Sequence, residues 1–148
     1  MCDKEEPCVV ESLADGRIKL YSDGSIVREE QQFPPPPTDA NYNFVPYKDI
    51  VFDHNLGLWA RLYLPPDSKT RVPVLLYYHG DGFCYQVTPA TDITHHMCQK
   101  WAVTLGVIIV YAEYRLAPKH RLLTTYHDPI TALQWIDSMK REREEVAR

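Results

Sequence analysis

Hydrophobic positions along the chain fall into short blocks, and their period changes partway through. Ile18-Lys19-Leu20-Tyr21 and Ile26-Val27-Arg28 flank Ser22-Asp23-Gly24-Ser25. An Asp-Gly between two short β-prone runs predicts a hairpin. Tyr47 to Phe52 and Leu58 to Leu64 predict two more strands, with Asn55-Leu56-Gly57 as the turn between them and Pro65-Pro66-Asp67-Ser68 as the stop. Val74 to Tyr78 is an unbroken apolar and aromatic run led in by Pro73, and Val107 to Tyr111 is another. Short, bounded runs of this kind predict strands of a parallel sheet. Between them the period is helical: Ile93, Met97, Trp101 and Leu105 recur every four residues over Thr91 to Leu105, with His96 and Lys100 on the same stripe. Thr91 or Asp92 can cap this helix and Gly106 ends it. Val74 to Tyr111 is therefore a βαβ unit with an expected right-handed crossover. Thr125 to Met139 predicts a second helix, with Ile130, Leu133, Ile136 and Trp135 facing the sheet. Glu142 to Arg148 reads as its solvated, charged end.

The ends of this pattern are less regular. Residues 1–15 are polar, anchored by Val9, Val10 and Leu13, and predict a short helix or a frayed terminus. Phe33 leads into Pro34-Pro35-Pro36-Pro37. Four residues without N–H groups predict an extended connector, a stiff spacer in preference to a ligand for a signalling domain.

Composition narrows the class. The 148 residues suit one domain, and 45% hydrophobic with 24% charged residues is the balance of a soluble globular protein. A net charge of −4 lacks the basic face that nucleic-acid binding needs. No run of about 20 apolar residues, the length a membrane span needs, occurs. The acidic start MCDKEEPCVVES has no secretory pattern, so the expected location is cytoplasmic. Cys2, Cys8, Cys84 and Cys98 have no zinc or redox spacing and are expected as free thiols. His95, His96 and Cys98 lie close together, but their spacing is not that of helical ligand pairs. No metal or other cofactor is expected.

The most informative stretch is Val72 to Phe83, VPVLLYYHGDGF, in which a buried strand ends in His79-Gly80-Asp81-Gly82-Phe83. Two glycines after a parallel strand mark a tight turn at the sheet's carboxyl edge, where ligands sit in open α/β sheets. Backbone N–H groups converging there can stabilise an oxyanion, at about 3–4 kcal/mol per donor.

HGDGF resembles the HGGG-type oxyanion loop of α/β-hydrolase lipases and esterases. YRLAPKHRLLTTYHD, Tyr114 to Asp128, resembles the YRLAPEH segment of the hormone-sensitive-lipase branch. With the Pro-rich N-terminal part, the chain is most similar to the plant carboxylesterases, a group that includes the gibberellin receptors. The resemblance implies an α/β fold that is the first part of an α/β-hydrolase: antiparallel first strands, then a parallel βαβ unit with flanking helices. Residues 1–40 become the N-terminal lid, hairpin and connector, and 41–148 the start of the core sheet. His79, Gly80, Asp81 and Gly82 become the oxyanion loop. Asp81 and Gly82 offer the N–H groups, and His79 braces the loop. Arg115 and His120 tie loops together under the site, with Arg115 read as a buried arginine satisfied by carbonyls.

Asp81 replaces the middle glycine of HGGG, and Lys119 the glutamate of YRLAPEH. At about 5 Å and an effective dielectric of about 20, a carboxylate at Asp81 opposes an oxyanion by roughly 3 kcal/mol. No Gly-x-Ser-x-Gly elbow occurs, and the five serines lie in turns or on the last helix. None of the triad is present. His127 and Asp128 are adjacent, so their side chains point apart, and Cys84 lacks the base that a nucleophilic thiol needs. The expected function is therefore that of a carboxylesterase-family chain, cut before its nucleophile and inactive alone. The alternatives are a non-catalytic module binding a small ester or hormone-like ligand, as in the gibberellin receptors, and a non-functional truncated product. An open sheet edge predicts self-association.

Overall fold

The computed structural model describes residues 7–13, 16–28, 45–66, 71–80, 82–85, 88 and 91–146, with side chains as far as 141. The polyproline run and Asp81 lie outside these residues.

The first unit is a three-stranded antiparallel sheet of β1 (Val9–Leu13), β2 (Ile18–Tyr21) and β3 (Ile26–Arg28), in that order. The expected hairpin is present. The N–H of Ser25 donates to Asp23 Oδ1 at 2.8 Å and that of Gly24 to the Tyr21 carbonyl at 2.9 Å, closing the turn. The expected N-terminal helix is not present over the described part: Val9–Leu13 is a strand, paired antiparallel with β2. A helix this short is marginal in water, whereas the free edge of β2 offers a ladder to a β-branched segment. Cys8, just before it, is disulfide-bonded, which corrects the expectation of four free thiols; Cys84 and Cys98 are free. Motif spacing reads metal and redox sites, but a cystine asks only for two nearby Cβ atoms.

The second unit is a four-stranded sheet in the order β4 (Tyr47–Asp53), β5 (Leu58–Tyr63), β7 (Ile108–Ala112), β6 (Val74–Tyr77). β4 and β5 are antiparallel, and Asp53 Oδ1 accepts the N–H groups of Asn55 and Leu56 in their turn. β6 and β7 are parallel, with Leu75 opposite Ile109 and Tyr77 opposite Tyr111. Helix α1 (Asp92–Leu105) connects them, ended by Gly106 in the left-handed region at φ 62°. The chain thus makes an antiparallel start followed by a βαβ unit, with β7 inside the sheet and β6 at its edge.

One helix covers each face. Ile109 and Tyr111 of β7 pack with Cys98 and Ala102 of α1, while Val110 and Ala112 pack with Ala132 of α2 (Leu122–Val146). Both strand runs are apolar on successive residues for this reason. Within each helix the buried stripe is shifted from the expected one. Thr94, Cys98, Gln99 and Ala102 are the buried residues of α1; Met97 and Trp101 flank them, and Leu105 is exposed. On α2 the buried line is Thr125, Asp128 and Ala132, flanked by Trp135 and Ile136, whereas Ile130 and Leu133 are half exposed. Small side chains let a helix lie close to a sheet, so Ala102 and Ala132 take the centre and larger residues the sides. α2 also begins earlier than expected, because Thr125 Oγ1 donates back to the Leu122 carbonyl at 2.7 Å instead of capping a start.

Candidate functional site

The two motifs meet at the carboxyl ends of β6 and β7. β6 stops at Tyr77, and Tyr78 leaves the ladder with its hydroxyl donating to the Pro129 carbonyl of α2 at 2.8 Å. Pro129 has no N–H of its own to give the helix, yet its carbonyl anchors the strand end to α2.

His79 follows and is buried. Its Nδ1–H donates to the Gly80 carbonyl at 3.0 Å. Tyr114 braces it from the other motif: the rings stack with centroids 4.3 Å apart and planes 13° apart. The Tyr114 hydroxyl is shared between the His79 carbonyl at 2.7 Å and the Gly80 carbonyl at 3.0 Å. His79 sits in a ring stack, turned onto its own loop's backbone, so its side chain acts on the shape of the loop. Gly80 and Gly82 are exposed. Asp81, the departure from the glycine pattern, lies outside the described residues.

The chain after Gly82 is strained. Gly82 has φ 63°, and Phe83 follows at φ 62°. A left-handed conformation costs a non-glycine residue roughly 1–2 kcal/mol. Phe83 is held there from two sides. Its carbonyl accepts the Ala117 N–H at 2.9 Å, and its ring packs edge-on to Tyr114 at 6.0 Å and Tyr126 at 5.6 Å. Arg28 of β3 then grips both loops. Its Nε donates to the Cys84 carbonyl at 3.1 Å and its Nη2 to the Ala117 carbonyl at 2.7 Å. The Cys84 thiol lies 3.1 Å from the Gly82 carbonyl, directed back into the turn.

Arg115 does tie the second loop down, but to a carboxylate and not to carbonyls. Its Nη2 reaches Asp128 Oδ1 at 2.7 Å and its Nε reaches Oδ2 at 3.0 Å, while its own N–H donates to Oδ2 at 2.9 Å. Asp128 is fully buried. The pairing raises the Arg115 guanidinium above its ordinary range. His127 is exposed, so the adjacent His127 and Asp128 do point apart. The His120 ring makes no hydrogen bond among the described residues, and Lys119 is exposed.

One group here carried no signal in the sequence. Glu113 closes β7, its N–H donating to the Trp59 carbonyl at 2.9 Å. The residue is 8% exposed, and Oε1 has no hydrogen-bond partner among the described residues. Burial raises its carboxyl to about 7. Arg28, Phe83 and Tyr114 likewise carry no role in the sequence reading, though the last two lie within the two motifs, and Asp128 enters it only beside His127.

His95, His96 and Cys98 go to separate places. His95 Nδ1 lies 3.1 Å from the Tyr63 hydroxyl, His96 Nδ1 donates to the Asp92 carbonyl at 2.8 Å, and Cys98 is buried with its thiol pushed up to about 12. Among the described residues, no group of three or more His, Cys, Asp or Glu is placed to hold a metal. No helix among them is long and apolar enough to cross a membrane. An open groove of about 750 Å³ lies between the three-stranded sheet and the start of α2, lined in part by Leu20, Ile26, Pro118 and Leu122. None of His79, Gly80 or Gly82 lines it.

A parallel pair with a helix on each face and a glycine loop at its carboxyl edge has clear counterparts among known proteins. A family model for the alpha/beta hydrolase fold matches residues 75–147. Probable carboxylesterase 8 of Arabidopsis thaliana is 38% identical over 129 residues, 84% of this chain and 36% of the relative. 2-hydroxyisoflavanone dehydratase of Glycyrrhiza echinata is 35% identical over 138 residues, 92% of this chain and 40% of the relative. Among solved structures, the Pyrobaculum calidifontis esterase superposes with a TM-score of 0.54 at 33% identity, over 66% of this chain and 31% of that one. The fold is that of the α/β-hydrolases, in part. Within that class the chain belongs with the plant carboxylesterases of the hormone-sensitive-lipase-like branch. It spans between a third and two fifths of the length of these curated relatives.

Proposed function

We propose that this chain supplies the oxyanion-loop half of a carboxylesterase-type reaction on a small-molecule ester, and that residues 1–148 have no hydrolytic activity alone. The observation that supports the reading is the brace on His79, Gly80 and Phe83. Tyr114 and Phe83 hold a glycine loop at the carboxyl edge of β6 by ring packing and backbone hydrogen bonds. A loop restrained in this way keeps its N–H groups directed without reorganisation, which is what stabilising a developing oxyanion requires. In this reading Asp81 and Gly82 donate, and His79 and Gly80 set the loop's path. The nucleophile is not among these residues, since no Gly-x-Ser-x-Gly elbow occurs. Residues 1–148 then form one partial domain, acting in the cytoplasm without a cofactor.

Two measurements test this. The purified chain should release no more p-nitrophenol from a short p-nitrophenyl ester than a heat-denatured control. Fused to the elbow-bearing remainder of a carboxylesterase relative, it should hydrolyse the same ester, and Asp81→Gly should raise the turnover of that fusion. A folded fusion with no activity would overturn the reading.

A further inference from the structure

Arg28 lies at the end of a three-residue strand, 56 residues before Cys84 and 89 before Ala117, yet its guanidinium bonds the carbonyls of both. Those carbonyls belong to the loop after His79-Gly80 and to the loop of the second motif. The two loops are also bonded to each other directly, through the Ala117 N–H and the Phe83 carbonyl at 2.9 Å. A planar guanidinium presents its donors in a fixed fork, so two carbonyls bound to one fork are held at a set separation. Phe83 sits at φ 62° between those contacts, in a conformation that persists only where its surroundings enforce it. The arrangement therefore joins three segments far apart in sequence: the N-terminal sheet, the strained loop, and the turn before α2.

We propose that Arg28 is a positioning residue for the oxyanion loop, setting the separation of the Phe83 and Ala117 segments from the N-terminal sheet. The proposal rests on the carboxylesterase reading for what the loop does, but the tie itself is measurable without any chemistry at the loop.

Backbone amide exchange of the 148-residue chain tests it, following the Ala117 amide against those of β6 and β7. In Arg28→Ala, Ala117 should exchange about tenfold to a hundredfold faster, the loss expected for charge-assisted hydrogen bonds, with the β6–β7 ladder unchanged. Arg28→Lys, which keeps the charge but loses the fork, should fall between. Millimolar methylguanidinium should slow Ala117 exchange in Arg28→Ala and leave the parent unchanged. Unchanged Ala117 exchange in either variant would overturn the proposal. So would an equal acceleration at Ala117 and throughout the ladder, because Arg28 would then be a general stabiliser. If Arg28→Ala does not fold, Arg28→Lys alone decides between these outcomes. An inactive fusion would sink the carboxylesterase reading and leave this exchange result standing.

Discussion

Phe83 carries a local conflict between backbone and side chain. Its φ of 62° suits glycine, but its ring packs against Tyr114 and Tyr126. Phe83→Ala and Phe83→Gly both lose the ring, and only the alanine variant keeps the strain. We expect the glycine variant to be more stable by about 1 kcal/mol in urea unfolding, the reverse of the order in regular structure. An alanine variant of equal or greater stability would show that the loop relaxes once the ring is gone. Glu113 is the other residue-scale case. Its folded carboxyl titrates near 7, above the ordinary value of 4.5, so the folded chain holds this proton more tightly than the unfolded chain. The contribution is full below pH 4.5 and is lost as pH rises to about 7, on the order of 2–3 kcal/mol in all. Urea unfolding at pH 5 and pH 8 should show the parent weaker at the higher pH. Glu113→Gln, neutral throughout, should lack that share of the trend, and identical pH profiles for the two would refute the assignment. Neither residue announces itself in the sequence. Positive φ at a phenylalanine and burial of a glutamate both depend on neighbours brought in from elsewhere.

At the scale of the element, α2 carries two ion pairs of opposite worth. Asp128 is buried and meets Arg115 through several hydrogen bonds, whereas Asp137 meets Arg141 one turn on, at 2.6 Å, with both side chains exposed. Removing one partner of a buried pair strands the other. Asp128→Ala should cost about 2–4 kcal/mol, scaled down because Arg115 is a quarter exposed. Asp137→Ala should cost less than about 0.5 kcal/mol. Thermal melts of the two variants side by side test this, and equal losses would count against the role given to Asp128. The same helix shows how far periodicity reaches. Its existence and its charged end are legible in the pattern, but the pattern selects large apolar residues, and Ile130 and Leu133 are half exposed. Which line of a helix faces a sheet depends on how closely the two approach, and here Ala132 and the buried Asp128 occupy that line.

At the scale of the molecule, β6 forms the edge of the four-stranded sheet, and its sequence VLLY carries no charge. Val74 is 47% exposed there. Unprotected edges of this kind pair with other chains. We expect the purified chain to self-associate, and Val74→Lys, a charge of the sort natural edges use, to shift it toward monomer. Size-exclusion chromatography with light scattering measures both; a monomeric parent would show that the edge is covered.

Strand, helix and strand from Val74 to Tyr111, the hairpin at Asp23-Gly24 and the two family motifs could all be read from the sequence, because each rests on local periodicity, turn chemistry or a contiguous run of residues. Tertiary structure decided what no local rule contains. It made Val9–Leu13 a strand by offering it the edge of β2. It turned Arg115 to a carboxylate 13 positions away instead of to carbonyls. It stacked His79 on Tyr114 and brought Arg28 onto two distant loops. A hydrogen bond or ring contact between residues far apart in sequence forms only when the packing of whole elements carries its partners together, and that packing is a property of the folded chain and not of any stretch of it.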